Sequence, residues 1–207
     1  MGETKKKNTL VHDALVLFAI TLIAALALGF IYELTKEPIA EAQVKAQNEA
    51  YKAVCPALAS TEEWSGDLAS MQALIDADSE LAYTTIEQIL FGVDESGNRV
   101  GCVMILSNAK GYGGQIKAVL GIASDGTLTG LEFLKISETA GLGMKAKNDD
   151  FKSQFNGTKT SRFSLTKRGI SGETEIDAIS SATVTTTAVT RIVDAGLKIF
   201  AEIGGAY

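Results

Sequence analysis

The sequence predicts an α+β protein: a single N-terminal transmembrane helix, then an antiparallel sheet with helices packed on it. Three observations carry this expectation. Residues 14–32 contain no charge and are almost wholly apolar. Residues 83–136 hold four β-patterned stretches joined by glycine-containing turns. The chain then closes on an amphipathic helical repeat in which Val189, Ile192, Val193, Leu197, Phe200 and Ile203 share one face.

The apolar run comes first. At a rise of about 1.5 Å per residue it spans roughly 28 Å, the thickness of a bilayer's hydrocarbon core. Lys5-Lys6-Lys7 precedes it, while Glu33, Lys36 and Glu37 follow. The basic excess is N-terminal, so residues 1–13 are expected in the cytoplasm, 14–32 in the membrane and the rest on the outer face. Ala25-Leu26-Ala27 resembles a signal-peptidase site, but the apolar run continues through Ile31, which favours a retained anchor over a cleaved leader.

Lys36-Glu37-Pro38 reads as a helix start with Pro38 in its first turn. Ile39, Ala42, Ala46, Ala50, Ala53 and Val54 follow as a weak apolar stripe, and Pro56 closes it. Residues 33–56 are therefore expected as a helical stalk packed on its own domain, with the extracytoplasmic domain at 57–207. A short helix is expected over 68–75. Trp64, the sole tryptophan, is a core residue or a stacking surface.

Strands are expected over 86–93, 99–106, 115–123 and 127–136. Asp94-Glu95-Ser96-Gly97-Asn98 and Ser124-Asp125-Gly126 serve as hairpin turns. In the third strand Ile116, Ala118, Leu120 and Ile122 alternate with Lys117, Val119 and Gly121. No βαβ unit with a G-x-G-x-x-G turn occurs, which removes a Rossmann dinucleotide site. A short helix over 148–155 and a short strand near 162–165 precede the last helix.

Composition narrows the chemistry. The 207 residues carry a net charge of −6, and the pI is near 4.9. No basic face is expected, so nucleic acid is not a partner. Cys55 and Cys102 are isolated and His12 precedes the apolar run. Metal centres built on Cys or His, and a Ser-His-Asp triad, are thereby excluded. No catalytic or metal-ligating set remains, so redox work would need an organic cofactor.

Two glycine-rich stretches interrupt the strands: Gly111-Tyr112-Gly113-Gly114, and Glu138-Thr139-Ala140-Gly141-Leu142-Gly143-Met144-Lys145. Either is a turn, or a loop whose backbone lies close to a flat ligand. Lys145 ends the second, Lys147 follows it, and both suit a phosphate tail. The last helix begins in Asp177-Ala178-Ile179-Ser180-Ser181-Ala182-Thr183, with Thr185 and Thr186 in its first turn. A helix start offers unpaired N–H groups and a positive dipole end to an anion. Thr183 is accordingly a cap, a non-covalent phosphate ligand or a phosphoester site.

These motifs carry a resemblance. Asp177-x-x-Ser180-Ser181-Ala182-Thr183 resembles the recognition motif of proteins flavinylated by the FAD-dependent flavin transferase, whose final Thr receives FMN. Ser181 stands where Gly is commoner. Residues 138–143 resemble the Glu-Thr-Pro-Gly-Leu-Gly loop of the FMN-binding domain family, with Ala140 in place of Pro, and 111–117 its Gly-Tyr-Gly-Gly segment. The motif order behind one membrane span is similar to that of the G subunits of Rnf electron-transport complexes.

The resemblance implies FMN on Thr183 through a phosphoester. It implies cofactor contacts from Glu138, Thr139, Gly141, Leu142, Gly143, Lys147, Ser180, Ser181, Ala182, Thr185 and Thr186. It further implies a flavin transferase during maturation, partner subunits in a lipid membrane, and ferredoxin:NAD electron transfer coupled to Na+ or H+ movement. A C subunit of a sodium-pumping NADH:quinone oxidoreductase, another extracytoplasmic flavin reductase, and a cofactor-free scaffold domain are the alternatives.

Overall fold

The computed structural model describes residues 4–170 and 172–204. The chain divides into two compact units, Met1–Lys45 and Ala46–Tyr207. Helix α1 (Thr4–Val54) contributes to both. Met1 to Glu3 and the side chains of Lys5-Lys6-Lys7, expected in the cytoplasm, lie outside the described residues.

In the first unit α1 is bare. Leu15, Leu17, Phe18, Ile23, Leu26 and Phe30 are all more than half exposed. An apolar surface on this scale is stable only against lipid or protein. Among the described residues, this is the one helix long and apolar enough to cross a membrane. The expected helix start at Pro38 is not found, because Pro38 lies inside α1. Proline's fixed φ is helical, so the ring removes one N–H bond without ending the ladder.

The second unit is built on a five-stranded antiparallel meander in the order β1 (Ser60–Glu63), β2 (Thr84–Val93), β3 (Arg99–Gly111), β4 (Gly114–Ala123), β5 (Leu128–Lys135). Period-two alternation sorts β3 and β4 onto two faces. Cys102, Met104, Leu106, Ile116, Ala118, Leu120 and Ile122 join the main core, while Val103, Ile105 and Val119 face the other way. Helix α4 (Thr183–Ile203) covers the main-core face. It packs closely at Gly196, where a Cβ would lie 2.5 Å from Leu120 Cδ1.

The end of α1 covers the other face: Ala50, Tyr51 and Val54 bury against Leu90, Val103, Ile105 and Val119. Gly121 and Gly130, cross-strand partners on β4 and β5, form a notch for Val54. A Cβ on Gly121 would lie 2.2 Å from the Val54 carbonyl oxygen, and one on Gly130 would lie 2.7 Å from Val54 Cα. The Thr129 hydroxyl donates to that same carbonyl at 2.5 Å. Residues 46–54, expected in the stalk, fall in the second unit and pack on its sheet.

Helix α2 (Leu68–Asp76) starts where expected, with Asp67 accepting from the Ala69 N–H. Trp64 packs against the main core, and Gly66 leaves room for its ring, since a Cβ there would lie 2.1 Å from it. Helix α3 (Asp149–Lys152) is shorter than the expected 148–155, because the chain turns as Phe155 stacks edge-on between Phe151 and Phe163. Strand β6 (Ser164–Thr166) pairs in parallel with β7 (Glu175–Asp177), which carries the chain to the start of α4. Cys55 and Cys102 are both buried and keep their thiols.

Candidate functional site: a cavity at the start of α4

Three segments distant in sequence meet beside the first turn of α4. Gly111 pairs with Gly114 in the tight β3–β4 turn, which presents Tyr112 outward. The chain after β5 forms the loop 136–142, in which Gly141 has φ +76° and the Leu142 N–H donates to Thr139 O. A 3₁₀ turn (Gly143–Lys147) follows. Between these and α4 lies a cavity of about 460 Å3, lined by Tyr112, Glu138, Thr139, Leu142, Gly143 and residues 181–185. That volume suits a cofactor-sized ligand.

The motif before α4 is held by its apolar members. Ile179 and Ala182 are buried, while Asp177, Ser180, Ser181 and Thr183 are exposed. The Ile179 N–H donates to Thr186 Oγ1 at 3.1 Å, and the Ala182 N–H donates to Ile179 O at 2.9 Å. This tight turn drives Ser181 into the left-handed region at φ +61°, where glycine is unstrained and a side chain is not. Glycine's advantage at position 181 thus has a backbone cause.

Ala182 occupies the cap position and offers no side-chain bond; Thr183 is the first helical residue. The cap role considered for Thr183 is therefore not the one it plays. The first intrahelical bond runs from the Thr186 N–H to Ala182 O, so the N–H groups of Thr183, Val184 and Thr185 have no intrahelical acceptor. Three amide donors, the dipole's positive end and the exposed Thr183 thus belong to residues that line one cavity. Leu142, Val184 and Tyr112 supply apolar surface, being 40%, 51% and 74% exposed. These features together fit a phosphate attached to a flat ring system.

Of the residues expected in the site, Glu138, Thr139, Leu142, Gly143, Ser181, Ala182, Thr183 and Thr185 line the cavity. Gly141 and Ser180 shape its loops but do not line it. Thr186 is fully buried, and its hydroxyl donates to Ala182 O. Its hydroxyl holds the motif turn, and Thr186 is not among the lining residues. Thr185 is also buried, and its hydroxyl donates to Glu138 Oε2 at 3.0 Å. Lys145 and Lys147 stand outside the lining, which includes no Lys or Arg. Backbone amides are thus the positive groups available to an anion here. Tyr112 and Val184 are lining residues that the sequence did not single out, although Tyr112 sits inside the first glycine motif.

Residues 111–198 match the family model for the FMN-binding domain, and residues 1–54 match that of the RnfG N-terminal region. The cavity thus belongs to an FMN-binding domain. The chain is 30% identical to the G subunit of the Na(+)-translocating ferredoxin:NAD(+) oxidoreductase complex of Acetobacterium woodii, over 97% of this chain and 99% of that one. It is 34% identical to the G subunit of the ion-translocating oxidoreductase complex of Methanosarcina acetivorans, over 91% and 92% respectively. Among solved structures, Shewanella oneidensis NqrC aligns over 74% of this chain and 72% of its own, with 18% identity and a TM-score of 0.49. The chain belongs to the family of G subunits of ion-translocating oxidoreductase complexes.

Proposed function

We propose that this protein is the FMN-carrying electron-transfer subunit of a membrane complex that couples ferredoxin:NAD electron transfer to Na+ or H+ translocation. Its flavin is held by a phosphoester to Thr183. The observation that carries the reading is the placement of the exposed Thr183 hydroxyl and three unpaired helix-start amides at a cavity walled by both glycine loops. Family membership and the likeness to ferredoxin:NAD(+) oxidoreductase subunits support the same reading.

FMN supplies the redox chemistry when bound; the polypeptide supplies tether, orientation and electrostatics. The amides of Thr183, Val184 and Thr185 hold the phosphate, and Leu142, Val184 and Tyr112 exclude water from the ring. In maturation, a bond forms between Thr183 Oγ and the FMN-side phosphorus of FAD. The pyrophosphate P–O bond would break and AMP would leave, its phosphate oxygen taking up the proton given by the hydroxyl. An external flavin transferase and its metal carry out that step. It reads Asp177, Ser180 and Ser181, which face solvent around Thr183.

The basic run Lys5-Lys6-Lys7 supports an N-terminus in the cytoplasm, residues 14–32 in the membrane and the FMN domain on the outer face. A covalent link suits that face, where lost FMN is not readily replaced. The other subunits complete the ion path, since one helix cannot enclose it. The test is Thr183→Val in cells containing the transferase. A folded domain without covalent flavin is expected, and in-gel flavin fluorescence surviving denaturation in that variant would overturn the assignment.

A further inference from the structure

Glu138, expected from the sequence to contact the cofactor, lines the cavity and has surroundings that give it a further task. It is a buried carboxylate, 8% exposed, on the loop after β5. Each of its oxygens is held by a different segment. Oε1 accepts from the Gly113 N–H in the β3–β4 turn at 3.2 Å, and Oε2 accepts from the Thr185 hydroxyl in the first turn of α4 at 3.0 Å.

The nearby glycines form its seat. A Cβ on Gly111 would lie 2.6 Å from Oε1, and one on Gly143 would lie 2.8 Å from Oε2 and 2.6 Å from Thr185 Oγ1. A Cβ on Gly113 would lie 1.9 Å from the Ser137 carbonyl oxygen. Such distances are far inside van der Waals contact, so these three positions admit only glycine while Glu138 stays in place. Both glycine motifs thus serve a carboxylate as well as a ligand. Among the described residues no ion pair neutralises Glu138, and no cationic side chain lines the cavity.

We propose that Glu138 is the positioning residue of the flavin site. Through Thr185 it fixes the first turn of α4, and so the Thr183 hydroxyl, against the β3–β4 turn. Its charge also makes the neighbouring flavin harder to reduce. This inference rests on the FMN reading above. Two physical effects underlie it. A carboxylate joining two segments fixes their spacing through charge-assisted bonds. A buried negative charge opposes placing another beside it.

The experiment uses the full-length chain produced with the flavin transferase. It measures covalent flavin per chain by intact mass, and the midpoint potential of the loaded protein. Glu138→Ala is expected to load at least tenfold less than wild type. Glu138→Gln keeps the shape and loses the charge, so it loads partially and its potential moves upward. Thr185→Val cuts the link to α4 and keeps the charge. Its loading falls several-fold, its adduct remains on Thr183 and its potential stays near that of wild type.

Should Glu138→Ala fail to fold in a thermal melt, the isosteric Gln variant decides. Wild-type protein that takes up no flavin would overturn both readings. Wild-type protein that loads, with Glu138→Gln loading equally at an unchanged potential, would overturn this inference alone.

Discussion

The end of α1 and the start of α4 both meet the sheet, on opposite faces, and they are finished in opposite ways. At the end of α1 the backbone is closed: Thr129 donates to the Val54 carbonyl, and Gly121 and Gly130 bring the strands against it. At the start of α4 the backbone is left open. No side chain caps it, three amides lack intrahelical acceptors, Ser181 is in the left-handed region and Thr183 is exposed. Unsatisfied groups and local strain carry a cost that a purely structural helix end avoids. The closed end is scaffold; the open end borders the candidate site.

The sharpest way to break this contrast is to fill the notch at the closed end. Gly121→Val should destabilise the domain by about 4 kcal/mol, because its Cβ would meet the Val54 carbonyl and Thr129. Chemical denaturation measures this. A loss under about 1 kcal/mol would mean that α1 is not built into the sheet.

A second test lies farther along α4, in its buried part. Asp194 accepts from the Phe163 N–H at 2.9 Å, and burial raises its carboxyl to about 7. The folded domain then keeps a proton that the unfolded chain releases above about pH 4. The contribution is therefore fully present below that pH and is lost as pH rises through 7. Asp194→Asn should remove this slope and stabilise the domain at pH 8 by on the order of 2 kcal/mol. Denaturation midpoints from pH 4 to 8 report it; an unchanged slope would count against the assignment.

The smaller effects compare the two helix ends directly. Thr129→Val should cost about 1 kcal/mol, the worth of one hydrogen bond at the closed end. Ser181→Gly, at the open end, should stabilise by about 0.5–1 kcal/mol through relief of the left-handed backbone, with Thr183 still flavinylated. A destabilising Ser181→Gly would show that the serine side chain holds the turn.

The sequence made some of this legible. The alternation in β4 sorted Ile116, Ala118, Leu120 and Ile122 onto the core face, and the motifs marked Thr183 and both glycine loops. Other parts were illegible for physical reasons. All four residues of β1 are exposed, so no alternation marks it. Pro38 looked like a helix start because proline's φ fits a first turn as well as an interior one. The role of Glu138 depends on Gly113 and Thr185, partners far apart in sequence that only the fold brings together. Lys147 suited a phosphate by charge, but its place on the 3₁₀ turn leaves it outside the cavity lining.

Whether Thr183 carries the flavin is read most directly from the peptide that contains it. Protein isolated from cells that contain the flavin transferase should be proteolysed and the peptide spanning residues 177–191 sequenced by tandem mass spectrometry. A mass increase of one FMN less one water, localised to Thr183, is expected. An unmodified peptide from flavin-loaded protein, or an adduct localised to Thr185, Thr186 or Thr187, would contradict it.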